Sequence, residues 1–177
     1  MVILKTSRFC LCVLLATATS ALANDSGKGQ FKADLTGYNE VPAVLTTASG
    51  QVTVAVSSDQ KSLNVTLTFS KLLGVAQSAS LYLGSPATSG GVIALLCGGT
   101  APACPTTADG TVTITLSASE VLAITAQGLA AADLASVIQA LANGAIYVNV
   151  VSNKFPNGEI RGQLGRGFSF GNFGRGN

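Results

Sequence analysis

Tyr147-Val148-Asn149-Val150-Val151-Ser152-Asn153-Lys154-Phe155-Pro156-Asn157-Gly158-Glu159-Ile160-Arg161-Gly162-Gln163-Leu164 reads as strand, turn and strand. Pro156-Asn157-Gly158 is the turn signal between two β-forming runs, so the stretch is a closing hairpin. A second distinctive block lies far upstream, Phe31-Lys32-Ala33-Asp34-Leu35-Thr36-Gly37-Tyr38-Asn39-Glu40-Val41-Pro42. There Phe31, Ala33 and Leu35 alternate with Lys32, Asp34 and Thr36, the pattern of a half-buried strand. Asn39 to Pro42 forms a turn, because proline cannot donate to a ladder and restrains the residue before it.

The chain between these blocks keeps the same period. Val52, Val54 and Val56 alternate with Gln51, Thr53 and Ala55, and the polar Ser57-Ser58-Asp59-Gln60 ends the run. Leu63, Val65, Leu67 and Phe69 then face inward while Asn64, Thr66 and Thr68 face outward. Ala79 to Gly84 is a further short strand, and Val92 to Leu96 is an apolar run suited to a strand covered on both faces. Val112, Ile114 and Leu116 alternate with threonines. The exception is 117–144. Ser117-Ala118-Ser119-Glu120 matches a capping box, and Leu134, Val137, Ile138 and Leu141 form one helical stripe. Asn143-Gly144 supplies a left-handed cap. A short helix is expected near 118–123 and a firmer one near 131–142. About seven short strands separated by turns argue for an antiparallel sandwich or barrel.

Lys5 and Arg8 precede an apolar core from Phe9 to Ala16, and Ala21-Leu22-Ala23 offers a small-x-small cleavage site. Residues 1–23 therefore read as a secretory signal peptide; the alternative is an uncleaved N-terminal anchor. The apolar run falls short of the roughly 20 residues that a membrane-spanning helix needs. Cleavage before Asn24 leaves a polar leader (24–30), a domain (31–164) and a glycine-rich tail (165–177), expected to be disordered. It also leaves eight basic against eight acidic residues, with no basic patch for nucleic acid. Cys97 and Cys104 are the cysteines that survive cleavage. In an exported protein they read as a loop-pinning disulfide stabilising by about 2–3 kcal/mol at best. A thiolate metal pair is the alternative, but it has no imidazole to complete it. Asn24-Asp25-Ser26 and Asn64-Val65-Thr66 are glycosylation sequons.

The blocks at 31–42 and 147–164, in this order and about this far apart, resemble the CHRD domain, a module named from chordin and common in secreted bacterial proteins. The resemblance covers about residues 31–164. It implies a mainly β, antiparallel sandwich of immunoglobulin-like or superoxide-dismutase-like Greek-key type, with one or two short helices inserted near 118–142. CHRD relatives carry an Ala-His-Ile-His segment on a strand and further histidines in the closing block. The corresponding positions here are Ser80, Tyr82, Val151 and Phe155. Histidines two apart on a strand share a face and could hold copper or zinc. This chain has no histidine at all, so no metal site and no cofactor are expected, and stoichiometric Cu²⁺ or Zn²⁺ binding is not.

Lack of imidazole also removes the Ser-His-Asp and Cys-His nucleophile pairs, and the eight carboxylates show no catalytic spacing. No catalytic residue is assigned. Ser80, Tyr82, Asn149, Glu159 and Arg161 form a candidate recognition surface, Glu159 and Arg161 sharing a strand face while Ile160 points into the core. The structural alternative is an ion pair or hydrogen-bond set that locks the last strand, involving Asn149 or Glu40. Asn39 and Glu40 read as turn chemistry. Tyr82 and Phe155 read as an aromatic patch or as filling for the space of the missing histidines. The sequence thus points to a secreted, extracellular or periplasmic, non-catalytic binding or structural module whose partner is an extracellular protein or cell-surface component. A metal-handling or redox protein is the rival reading.

Overall fold

The computed structural model describes residues 29–166. The expected signal segment, most of the leader with its Asn24 sequon, and the tail from residue 167 lie outside the described residues. Nine strands form among the described residues: β1 (Gln30–Thr36), β2 (Ser49–Val56), β3 (Ser62–Ser70), β4 (Ala76–Leu83), β5 (Gly91–Cys97), β6 (Gly110–Ser117), β7 (Ile146–Ser152), β8 (Ile160–Gln163) and β9 (Gly165–Arg166). The class is mainly β and every ladder is antiparallel. One unbroken path runs β5-β4-β7-β8-β1-β2-β3-β6, with β9 also on β1. Because β1 pairs with β2 on one side and with β8 and β9 on the other, the two halves stay joined. The sheet curls into a nearly closed barrel rather than parting into two ladders. β9 takes the first two residues of the expected disordered tail, since Gly165 and Arg166 still find partners in Lys32 and Phe31.

Alternation decides what lies inside. On β3, Leu63, Val65, Leu67 and Phe69 are buried, and Val65 and Leu67 meet Val54 and Val52 of β2 and Ile114 and Val112 of β6. Asn64 faces out and accepts from Thr115 Oγ1 at 2.8 Å. The same core takes Phe31 and Leu35 of β1, Leu81 of β4, Ile93 and Leu96 of β5, and Val148 and Val150 of β7.

The seam between β5 and β6 carries the disulfide loop. Cys97 ends β5 and is bonded to Cys104, and Pro102 to Thr106 line the same cleft as Leu96 of β5 and Thr111 to Ile114 of β6. The crosslink thus holds a loop over the place where the ladder is open.

The helical segment differs in detail from the sequence reading. The capping box is present, with Glu120 Oε2 accepting from the Ser117 amide at 2.7 Å, but it starts a single 3-10 turn, Ala118–Glu120. A second turn, Thr125–Gln127, is held by Gly128 in the left-handed region. The helix α1 spans Leu134–Ala142, starting later than residue 131 because Ala132 has φ +62° and Asp133 caps the first turn through Ser136 N at 3.0 Å. Leu134, Val137 and Leu141 turn inward.

Leu67 is fully buried at the centre of β3. Leu67→Ala is expected to cost about 2–5 kcal/mol in denaturant unfolding, by lost burial and a residual cavity.

Candidate functional site

The face of β4, β7 and β8 opposite the core is polar. The register sets Ser80 against Asn149 and Tyr82 against Tyr147 across β4 and β7, and Asn149 against Arg161 and Tyr147 against Gln163 across β7 and β8. Two loops cover this face. One runs from Gly37 to Ala48; the other, 84–90, links β4 to β5. Ser80, Asn149, Glu159 and Arg161 are consequently buried and Tyr82 is half-buried. The expected recognition surface is therefore an enclosed polar layer, because the face that strand alternation turns away from the core is roofed by loops.

Arg161 holds one roof. Its Nη2 donates to Thr88 O at 2.7 Å and to Ser85 O at 3.4 Å. Its guanidinium carbon lies 3.5 Å from the centre of the Tyr147 ring, a cation–π contact. Tyr147 in turn stacks on Tyr82, with ring centres 5.0 Å apart and planes within 6°, and its hydroxyl accepts from the Gly90 amide at 3.1 Å. Gln163 Nε2 adds a bond to Gly84 O at 2.9 Å.

Glu159 holds the other. It is wholly buried, and its Oε1 accepts from Thr46 Oγ1 at 3.0 Å and from the Leu73 amide at 2.6 Å. Glu159 and Arg161 thus act separately, each tying down its own loops, in place of the ion pair considered from their spacing. The hydrogen-bond set involving Asn149 and Glu40 does exist: Asn149 Nδ2 donates to Glu40 Oε2 at 3.4 Å and to Asn157 O at 3.2 Å. Gly158 is required here, because its φ is +132° and a Cβ would stand 2.6 Å from Glu40 Oε1.

Glu40 is also the site's titratable oddity. Burial pushes its carboxyl up to about 7, against a smaller downward pull from Arg161. Beside it an open groove of about 510 Å³ runs between the loops, lined by Asp34, Tyr38, Asn39, Glu40, Arg161 and Gln163 among others.

Of the positions expected to replace histidines, Ser80, Tyr82 and Val151 lie on this one face, and Phe155 sits in the turn after β7, its amide bonded to Ser152 O. Among the described residues no three His, Cys, Asp or Glu side chains are grouped to hold a metal. Sequence reasoning missed Tyr147, Thr46 and Gln163 as members of the layer. The alternation Tyr147, Asn149 could have signalled the first.

The residues that converge here come from the two distinctive sequence blocks. The CHRD domain profile matches residues 31–164. The chain belongs to the CHRD family. No curated protein and no solved structure matches it. In this CHRD domain the Tyr-Asn-Glu-Val-Pro segment (38–42) and the Asn-Gly-Glu-Ile-Arg segment (157–161) meet across Asn149.

The raised Glu40 value fixes a pH dependence. A carboxyl titrating higher in the folded state contributes stability that is complete below its ordinary value of 4.5 and is lost as pH rises through about 7. Asp59, Glu120 and Asp133 are shifted downward, so their windows lie below this one. Glu40→Gln is expected to flatten the fall in melting temperature between about pH 4.5 and 8 and to be the more stable form at the upper end. Parallel profiles for the two proteins would contradict this origin.

Proposed function

We propose that this CHRD domain works outside the cytoplasm as a non-catalytic binding or structural module, with an extracellular protein or cell-surface component as its partner. The export signal read in residues 1–23 supports the location. The polar layer supports the non-catalytic role: Arg161, Gln163 and Glu159 each bond loop backbone, and the chain has no imidazole. A sandwich of the kind the resemblance implies is a flattened form of such a curled sheet, and it stays within this reading.

One observation carries the binding role. Six large apolar side chains are strongly exposed among the described residues, and five of them, Tyr38, Val41, Leu45, Leu73 and Val75, stand on two loops. Those loops are neighbours, because Thr46 and Leu73 bond the same oxygen of Glu159. Leu45 is 82% exposed. Apolar side chains gathered at one end of a barrel mark a contact surface better than the same number scattered.

Leu45→Ser with Leu73→Ser tests it. Mature protein used as bait in its native extracellular fraction is expected to recover a specific partner, and the double variant to recover at least about tenfold less, a change of 1.4 kcal/mol or more. Its unfolding free energy should move by no more than about 0.5 kcal/mol per site. Equal recovery by both baits would remove these loops from the interface.

A further inference from the structure

Arg161 is placed as a buried cation with half of its fork unused. It is only 3% exposed, and of its five N–H groups the Nη2 pair is taken by Thr88 O and Ser85 O. Nε and Nη1 have no acceptor among the described residues, and no described carboxylate comes within ion-pair distance. The nearest charged candidate, Glu40, aims Oε2 at Asn149 and leaves Oε1 against Gly158. Among the described residues, the fully enclosed polar atoms that lack a partner are Glu40 Oε1, Asn149 Oδ1, Glu159 Oε2 and Gln163 Oε1. No guanidinium nitrogen is among them, so the spare N–H edge is not fully enclosed, and Arg161 is one of the residues that line the groove. Burying a cation without a counter-charge is costly, and the planar fork matches a carboxylate in two-point fashion.

The rest of the groove narrows the ligand. Tyr38 lines it and remains 72% exposed, offering an amphipathic ring for an apolar face. Asp34 and Asn39, both exposed, bring acceptor and donor groups suited to hydroxyls. An acidic peptide would meet repeated repulsion from Asp34, whereas a sugar acid presents one carboxylate per ring together with hydroxyls and a flat C–H face.

We propose that this groove binds an acidic saccharide of the uronate type, its carboxylate on Nε and Nη1 of Arg161 and its ring against Tyr38. The assignment rests on the binding-module reading and names a ligand class for it.

Calorimetric titration of the mature protein with oligogalacturonate, with the same oligomer methyl-esterified, and with polyglutamate tests it. The acid form should bind, and the ester at least about tenfold more weakly, because esterification removes the charge that the guanidinium recognises. Arg161→Lys should lose about tenfold as well, since an ammonium cannot reproduce the fork. Tyr38→Ala should weaken binding without moving the melting temperature, a control that stands even where the Arg161 variant fails to fold. Equal affinity for acid and ester, or no binding of the acid into the millimolar range, would overturn the proposal. So would binding of polyglutamate in place of the uronate. Partner recovery by the wild type and by Leu45→Ser with Leu73→Ser is scored beside these titrations. Loss of partner recovery in that variant alongside absent saccharide binding would sink the saccharide assignment and keep the binding module. Saccharide binding without any effect of that variant would do the reverse for the loop surface.

Discussion

The carboxylate of Glu159 sits wholly inside the protein at the start of β8 and accepts hydrogen bonds from two loops that are far apart in sequence. Burying such a group costs several kcal/mol unless its lone pairs are met. The protein meets those of Oε1 with the hydroxyl of Thr46 and the amide of Leu73, while Oε2 is enclosed without a partner among the described residues, so the cost of losing either partner is what makes the loops hold their place. Gly37 belongs to the same arrangement: a Cβ there would run into Val44 O and Thr46 Cγ2 and stand 3.2 Å from Glu159 O. The loop can therefore fold down onto the carboxylate only with glycine at that position. Roofed in this way, the outer face of β7 and β8 becomes an interior, and Asn149, Arg161 and Tyr147 become its contents.

That constraint explains which parts of the protein the sequence announces. Two-residue alternation in β1, β2, β3 and β6 depends on nothing beyond neighbours, so Leu63, Val65, Leu67 and Phe69 declare their burial directly. The helical stripe Leu134, Val137, Leu141 is equally local, as is the capping box at Ser117 and Glu120. The polar layer is different. Glu159 and Thr46 are 113 residues apart and Glu159 and Leu73 are 86 apart, so no local pattern links them. Alternation also assigns Arg161 to the face away from the core, correctly, while giving no sign that loops 37–48 and 84–90 cover it. The unbroken strand path was hidden for a similar reason: it turns on β1 pairing with strands from both ends of the chain.

The absence of histidine acquires a physical context here. Tyr82 stacks on Tyr147 and Arg161 lies over the Tyr147 ring, on the sheet face that holds the positions expected to replace histidines, and the guanidinium supplies a positive charge to the layer. A cation braced on the Tyr147 ring, with loop carbonyls on Nη2 and beside an open groove that it helps to line, is a site for recognising an anion. The exposed Leu45 and Leu73 belong to the same construction, because the bonds that fix Thr46 and the Leu73 backbone to Glu159 also present their neighbours to solvent.

Hydrogen exchange at the Leu73 amide in wild type and in Glu159→Gln tests this account most directly. Strong protection of that amide is expected in the wild type. In the variant, exchange there and through residues 38–46 should approach that of an open loop, while the amides of β3 keep core protection. Unchanged protection at Leu73 in the variant would contradict the account, as would uniform loss throughout the sheet, because either result would mean that the buried carboxylate does not selectively hold the two loops in place.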